Sequence, residues 1–206
     1  MSLGMLLLTL LAIAVFCGLL QRVLDRMYLT DRQALMIIGL MLLGTFIPNI
    51  RIGQLAINLG GAVIPAGICI YLIVKANSHH ERLRAVIGSL VTAAFIFILS
   101  ASLPAEAEAM LVDPIWIYGI VGGIVAWLSG RSRRSAYICA TLGILIADLL
   151  SGVYAAARGY AVTIVLGGGG IADACVISGV IAVLSCEVIG ELIERCVRKI
   201  SRGSER

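Results

Sequence analysis

Long apolar runs separated by short charged segments dominate this chain of 206 residues. Hydrophobic residues make up 60% of the chain and charged residues only 14%, whereas a soluble domain averages roughly 45–50% and about 25%. A helix needs ~20 apolar residues to cross a bilayer. Seven runs approach or reach that length, at about 3–20, 34–47, 55–74, 85–103, 115–129, 137–157 and 162–190. The pattern predicts an all-α integral membrane protein with seven transmembrane segments, in a single membrane domain that covers residues 1–206.

The distribution of basic residues predicts how the spans are oriented. In a seven-span topology, all of the 16 Lys and Arg residues except Arg51 and Arg158 lie on one side of the membrane. Cytoplasmic loops carry the excess of Lys and Arg, so we expect the amino terminus outside and the tail, residues 192–206, in the cytoplasm. The net charge of +4 therefore reflects topology, and no nucleic-acid partner is expected.

An internal repeat relates the two halves of the chain. RIGQLAINLGGAVIPAG (51–67) aligns without gaps with RGYAVTIVLGGGGIADA (158–174). The arginine and the Gly-Gly pair carry the match, because apolar residues coincide easily by chance. Both halves enter the bilayer from the same side, so the repeats are parallel and related by an axis along the membrane normal. We expect repeat 1 at about 1–84, a connecting helix (span 4) at 85–103 and repeat 2 at about 108–191.

Glycines interrupt the third and the seventh apolar run, namely Gly60, Gly61, Gly167, Gly168, Gly169 and Gly170. In each run the residues before the Gly-Gly pair alternate as in a strand, and a short apolar helix follows. We interpret both spans as discontinuous, with an extended segment, a glycine break and a helix. Extended backbone at membrane depth must be covered by protein, and the two extended segments meet this demand if they pair with each other. Close helix packing is the alternative role of such small residues.

Two aspartates, Asp148 and Asp173, lie near the middle of consecutive spans. An ionisable residue at this depth is costly and is a functional candidate by default. Each aspartate must be protonated, share a proton with the other, bind a cation or face water, because no Lys, Arg or His lies at the same depth. A protonated aspartate that hydrogen-bonds a carbonyl freed at the helix break is the structural alternative.

Neither the cysteines nor the histidines form a pattern that predicts a metal site or a cofactor. His79 and His80 lie in KANSHHERLR, which we interpret as a solvated loop without further ligands. The cysteines are scattered through apolar runs without a CxxC pair, which favours buried thiols over a disulfide framework. They are Cys17, Cys69, Cys139, Cys175, Cys186 and Cys196.

The segment 167–179, GGGGIADACVISG, resembles the Gly-x-Gly-Asp helix of the presenilin and signal-peptide-peptidase class. In that class a second catalytic aspartate lies on the preceding span, and Asp148 lies on the preceding span here. That class also has a Pro-Ala-Leu element beside the aspartates, and Pro65-Ala66-Gly67 occupies the pseudo-symmetric position here. The sequence departs from the class because two residues separate Gly170 from Asp173, no Tyr-Asp pair is present and the number of spans differs. The resemblance implies an intramembrane aspartyl hydrolase in which Asp148 and Asp173 activate water against a peptide bond. Backbone around the two Gly-Gly pairs would then bind an unwound peptide.

A cation- or proton-coupled transporter or channel is the alternative, since parallel repeats, broken helices and acidic groups at the midplane are typical of carriers. Asp148 and Asp173 would then bind Na⁺ or H⁺, with Asn58, Thr163 and freed carbonyls completing the site. Arg51 and Arg158 lie at equivalent outer positions. They would bind lipid phosphates or a substrate carboxylate, or serve only as snorkelling anchors.

As a whole the chain is similar to a prokaryotic membrane protein family of unknown function, through NLGGAVIP, ADLLSG and GGGGIADACVISG. The resemblance implies location in the plasma membrane of a prokaryote and supplies no activity. The expected partners are the lipid bilayer and either a membrane-embedded peptide or a small cationic substrate. Self-association is left open.

Overall fold

The computed structural model describes residues 13, 27–76, 78–102, 114–130, 132–160, 163–168 and 173–203, which are mostly helical. Within this part of the chain the α-helices are α1 (Asp31–Phe46), α2 (Ile64–Val74), α3 (His79–Ser102), α4 (Pro114–Gly130), α5 (Arg133–Ala157) and α6 (Ala174–Gly203). Three short strands accompany them, β1 (Ile50–Ile52), β2 (Leu55–Ile57) and β3 (Ile164–Leu166), and a π-helical turn, Leu59–Val63, leads directly into α2. The predicted first span lies outside the described residues except for Ile13.

The central helix of the fold is α5, which contacts α3, α4 and α6 and also α2 and β3. Glycines allow the close approach of these helices. A Cβ added at Gly143 of α5 would lie 2.6 Å from the Cβ of Thr92 on α3, and one at Gly179 of α6 would lie 2.8 Å from the Oγ1 of Thr141 on α5. Small residues at helix crossings are typical of membrane helix packing.

Two helices, α3 and α5, are long and apolar enough to cross a membrane by length and composition. They correspond to the predicted fourth and sixth spans. The apolar window of α5 is 56% buried and that of α3 only 33%, so α5 is an interior helix and α3 a peripheral one. The last helix, α6, runs on to Gly203, well past the apolar run that ends near residue 190.

A small sheet with strand order β1-β2-β3 is an exception to the all-α prediction. β1 and β2 form an antiparallel hairpin around Gly53, whose φ is +62°. β2 and β3 pair in parallel, with Leu55 opposite Ile164 and Ile57 opposite Leu166. The two extended segments therefore pair with each other, as the sequence led us to expect. Pairing satisfies backbone groups that would otherwise be left without partners.

Two local predictions were wrong. Span 3 is discontinuous as predicted, but the break lies at Asn58 and not at Gly60 and Gly61, which are inside the π turn, because the side chain of Asn58 caps that turn immediately after β2. The segment interpreted as a solvated histidine loop instead begins α3 at His79. The Ser78 hydroxyl accepts a hydrogen bond from the His80 N–H at 3.2 Å, which starts the helix early. Both histidines are exposed.

Ionic and aromatic contacts bring the basic segments together at one end of the bundle, which we call the basic end. The Arg134 guanidinium lies 4.6 Å from the Tyr28 ring centre and 3.5 Å from Glu81, while Arg133 forms an ion pair with Glu187 of α6. These contacts link the segments around Tyr28, Glu81 and Arg133 with one another and with α6.

Candidate functional site

Asp173 caps the amino terminus of α6. Its Oδ1 accepts a hydrogen bond from the Cys175 N–H at 3.0 Å, and its carbonyl accepts from the N–H groups of Val176 and Ile177, each at 3.1 Å. The residue is buried, with 7% of its surface exposed. Aspartate is a preferred N-cap residue, and the partial positive charge of a helix amino terminus stabilises a carboxylate. Asp173 therefore has a structural role, whatever its chemistry.

Asp148 lies on α5 at nearly the same height as Asp173. From the Arg133–Glu187 ion pair at the basic end, α5 rises ~15 residues to Asp148 and α6 ~14 residues to Asp173, or about 22 and 21 Å at 1.5 Å per residue. The two carboxyl groups are close enough to repel each other electrostatically. Among the described residues, no Lys, Arg or His forms an ion pair with Asp148. The structure thus brings the two predicted aspartates together.

The phenol of Tyr118 on α4 also lies within the electrostatic field of Asp148. The helix register explains this: a Cβ at Gly122 would lie 3.1 Å from the Cδ1 of Ile144. Tyr118 lies one turn before Gly122 on α4, and Asp148 lies one turn after Ile144 on α5. Because the two helices are antiparallel, both steps lead in the same direction. Sequence reasoning missed Tyr118. The available signal was a tyrosine within an apolar run, immediately before a glycine.

Asn58 plays for α2 the part that Asp173 plays for α6. Its Oδ1 accepts from the Gly61 N–H at 2.9 Å, and its Nδ2 donates to the Asn49 Oδ1 at 2.9 Å. Asn58 is 4% exposed. Both ends of its carboxamide are therefore engaged within its own part of the fold.

Gly167 lies where the two halves meet. Its φ is +65°, and an added Cβ would come within 2.4 Å of the Gly61 carbonyl carbon and 2.5 Å of the Ala62 nitrogen. Gly168 follows in the same turn, where a Cβ would meet the side chain of Val165 at 2.7 Å. Gly169 and Gly170 lie outside the described residues. Gly167 thus allows a close backbone approach, whereas Gly168 lies against the Val165 side chain.

The comparisons with known proteins identify a family and nothing beyond it. Residues 10–184 match the family described as a protein of unknown function, DUF1614. The chain belongs to this family. The matched segment contains both aspartates and all the glycines discussed above. No curated protein and no solved structure matches the DUF1614 chain.

Three other predicted site residues of the DUF1614 protein lie on elements other than the glycine turns. Arg51 is exposed on β1, whereas Arg158 follows the end of α5 and stacks over the Tyr154 ring at 4.7 Å. The matched arginines thus occupy different secondary structures. Pro65 is fully buried in the first turn of α2.

Cys175 is the second residue of the site that the sequence did not reveal. It follows Asp173 by two positions, is fully buried and donates its thiol hydrogen to the Gly61 carbonyl oxygen at an Sγ–O distance of 2.8 Å. In the described part of the chain no group of three or more His, Cys, Asp or Glu residues could hold a metal ion. The site is therefore a carboxyl pair with a phenol and a thiol beside it.

Proposed function

We propose that the DUF1614 protein is an integral membrane protein with seven spans, an outer amino terminus and a cytoplasmic carboxyl terminus in a prokaryotic plasma membrane. The exposed apolar face of α3 supports this. Leu90, Phe95 and Ile98 leave about half or more of their surface exposed, on a 24-residue helix. Burial of such side chains gives ~1.5–3 kcal/mol each, which a bilayer supplies and water does not.

The proposal includes two parallel repeats. Each half contains a strand, a polar cap and a helix, in that order: β2, Asn58 and the π turn with α2, then β3, Asp173 and α6. Two strands related by an axis parallel to them run in the same direction, which fits the parallel pairing of β2 with β3. The distance along the chain from strand to cap differs between the halves, so the gap-free alignment does not extend to the helix starts.

For activity, we propose an intramembrane aspartyl hydrolase. The observation that carries this proposal is the placement of Asp148 and Asp173 at one height on neighbouring helices, within each other's field. Two such carboxyl groups share a proton, which leaves one base and one acid. Asp173 at the helix amino terminus suits the base, which removes a proton from water, while Asp148 donates its proton to the oxygen of the peptide carbonyl that the water attacks.

The free edge of β3 offers a place for an extended substrate. The Ile164 N–H donates to the Gln54 carbonyl and the Leu166 carbonyl accepts from the Asn58 N–H, so the backbone of these two residues faces β2. Val165, 42% exposed, directs its backbone groups the other way because strand residues alternate. In the part of the chain that is described, no strand covers this edge. A membrane-embedded peptide could add a strand here. Gly60 and Gly61 cannot do the same, since they are helical.

A cation- or proton-coupled carrier is the second candidate, favoured by the position of the helix starts. The π turn that leads into α2 begins inside the body of the protein at its cap Asn58, and α6 begins there at its cap Asp173. Half-helices that point their amino termini at the membrane centre are typical of carrier binding sites. In this reading Asp148 binds H⁺ or Na⁺.

Purified protein in liposomes tests both candidates. Wild type, Asp148→Asn and Asp173→Asn would be incubated with single-span peptides and the products read by mass spectrometry, with Asp31→Asn as a matched control far from the site. We expect cleavage by wild type and the control, and a loss of at least ~10²-fold in rate in either site variant, the usual size of acid–base catalysis. Na⁺- or pH-driven flux that either site variant abolishes, without cleavage, would replace the hydrolase with the carrier.

A further inference from the structure

Cys175 connects the two halves of the molecule at the candidate site. Its backbone N–H donates to the Asp173 Oδ1 at 3.0 Å, and its thiol donates to the Gly61 carbonyl oxygen at 2.8 Å. One residue therefore contacts both the carboxyl group that caps α6 and the π turn that begins the helix of the other half. Cys175 itself is shielded from solvent, with 0% of its surface exposed.

Pro65, four positions after Gly61, cannot donate a backbone hydrogen bond to the Gly61 carbonyl. In an α-helix the carbonyl of Gly61 would accept the N–H of residue 65, but residue 65 is proline and has no N–H. Pro65 lies at the start of α2, fully buried. The Gly61 carbonyl therefore has no α-helical donor at residue 65, and the Cys175 thiol donates to it.

The surrounding contacts hold this joint in place. Gly167 packs directly on Gly61 and Ala62, and the Cys175 carbonyl accepts a hydrogen bond from the Thr141 hydroxyl at 3.5 Å. Both ends of the Cys175 main chain and its side chain are thus engaged. A displacement of the π turn would be transmitted through the thiol to the first turn of α6, where Asp173 lies.

We propose that Cys175 is a positioning residue that fixes the Asp173 carboxyl group relative to the π turn of the first half. This inference rests on the proposed role of the aspartate pair and adds a residue to it. What the position requires is a small side chain with a hydrogen to donate. Serine meets this requirement, while alanine fills nearly the same space without a donor.

Infrared spectroscopy of the full-length protein tests the thiol bond without any substrate. The S–H stretching band of Cys175 is the band that disappears in Cys175→Ser. We expect it at a lower frequency than the band of an alkanethiol in hydrocarbon, because donation weakens the S–H bond. A Cys175 band at the frequency of the free alkanethiol would overturn the proposal.

The carboxyl bands of Asp173, identified as those lost in Asp173→Asn, report on positioning. Cys175→Ala should shift the titration midpoint of these bands and Cys175→Ser should restore it, while Cys69→Ala, at another fully buried cysteine, should leave it unchanged. Thermal unfolding confirms that each variant is folded. If Cys175→Ala leaves the titration at the wild-type midpoint, Cys175 is not a positioning residue. If only Cys175→Ser folds, its midpoint alone decides, and a value away from wild type counts against the proposal.

The outcome is separable from that of the proposed function. A shifted Asp173 titration in Cys175→Ala, together with hydrolysis and flux that neither aspartate variant affects, would sustain the positioning role and remove the catalytic one. Where cleavage is measurable, Cys175→Ala should lower kcat and leave KM unchanged, because the substrate does not touch a buried thiol.

Discussion

The two strand–helix units of this protein share a design and differ in how the strand is joined to the helix. In the first unit, Asn58 follows β2 directly and caps the π turn. In the second, residues 167–172, with the glycine run, separate β3 from the cap Asp173. The first cap is neutral, with both ends of its carboxamide engaged. The second is a carboxyl group near another one. The two caps therefore differ both in charge and in their distance along the chain from the preceding strand.

The glycine pairs show the same divergence. Gly60 is helical and lies against α1, where an added Cβ would come within 2.4 Å of the Met41 carbonyl oxygen. Gly167 lies in a turn with positive φ and packs against Gly61. Matching residues in the sequence thus allow two different close approaches.

The largest expected effect comes from Gly167→Ala. Positive φ costs an L-residue about 1–2 kcal/mol and overpacking a further ~1–3 kcal/mol. Gly53→Ala is the matched control, because its φ is also positive but no atom lies within 4 Å of the added Cβ. Thermal unfolding in detergent should show that Gly167→Ala lowers the free energy of unfolding by about 2–5 kcal/mol. Gly53→Ala should lower it only by the backbone strain, about 1–2 kcal/mol. Equal losses would show that the halves are not tightly joined at Gly167.

Gly60→Ala should cost about 1–3 kcal/mol, because the new methyl group meets backbone atoms of α1 that cannot rotate away. Gly39→Ala in α1 is the control, since nothing lies within 4 Å of its added Cβ. Alanine is the better helix former by up to ~1 kcal/mol, so the control should gain stability. The two variants are compared by the same unfolding measurement, and destabilisation of both to the same extent would contradict the proposed contact.

Exchanging the two caps should have unequal consequences. Asn58→Asp removes the Nδ2 donor and leaves the Asn49 Oδ1 without it, for a loss of about 1–3 kcal/mol. Asp173→Asn keeps an oxygen for the Cys175 N–H, and asparagine caps helices as well as aspartate, so only a few tenths of a kcal/mol should change. Unfolding temperatures of the two variants test this. A large loss in Asp173→Asn would mean that the negative charge itself stabilises the fold.

The smallest expected difference concerns the two arginines that match in the repeat. Arg158→Ala removes the stacking on Tyr154, worth about 0.5–1 kcal/mol at an exposed site. Arg51→Ala, on an exposed strand, should change stability by less. Indistinguishable unfolding curves for the two variants would restore the view that the arginines are equivalent anchors.

Much of the helical framework followed from the sequence because charged residues bound each apolar run. The runs at 34–47, 85–103, 115–129 and 137–157 correspond closely to α1, α3, α4 and α5. The pairing of the extended segments and the proximity of Asp148 to Asp173 also followed, from the order of the spans. The early start of α3 did not, because a capping serine outweighed the polar composition around it.

What the sequence determined by itself is much of the apolar helical framework, since the bounds of each run depend on local hydrophobicity and on length along a helix. What only the tertiary structure decided is how that framework is joined: the contact of Gly167 with Gly61, the field of Asp148 at Tyr118, and the thiol bond from Cys175 to Gly61. These contacts join residues far apart in the chain, and their existence depends on distances of a few ångströms between helices that no local pattern encodes.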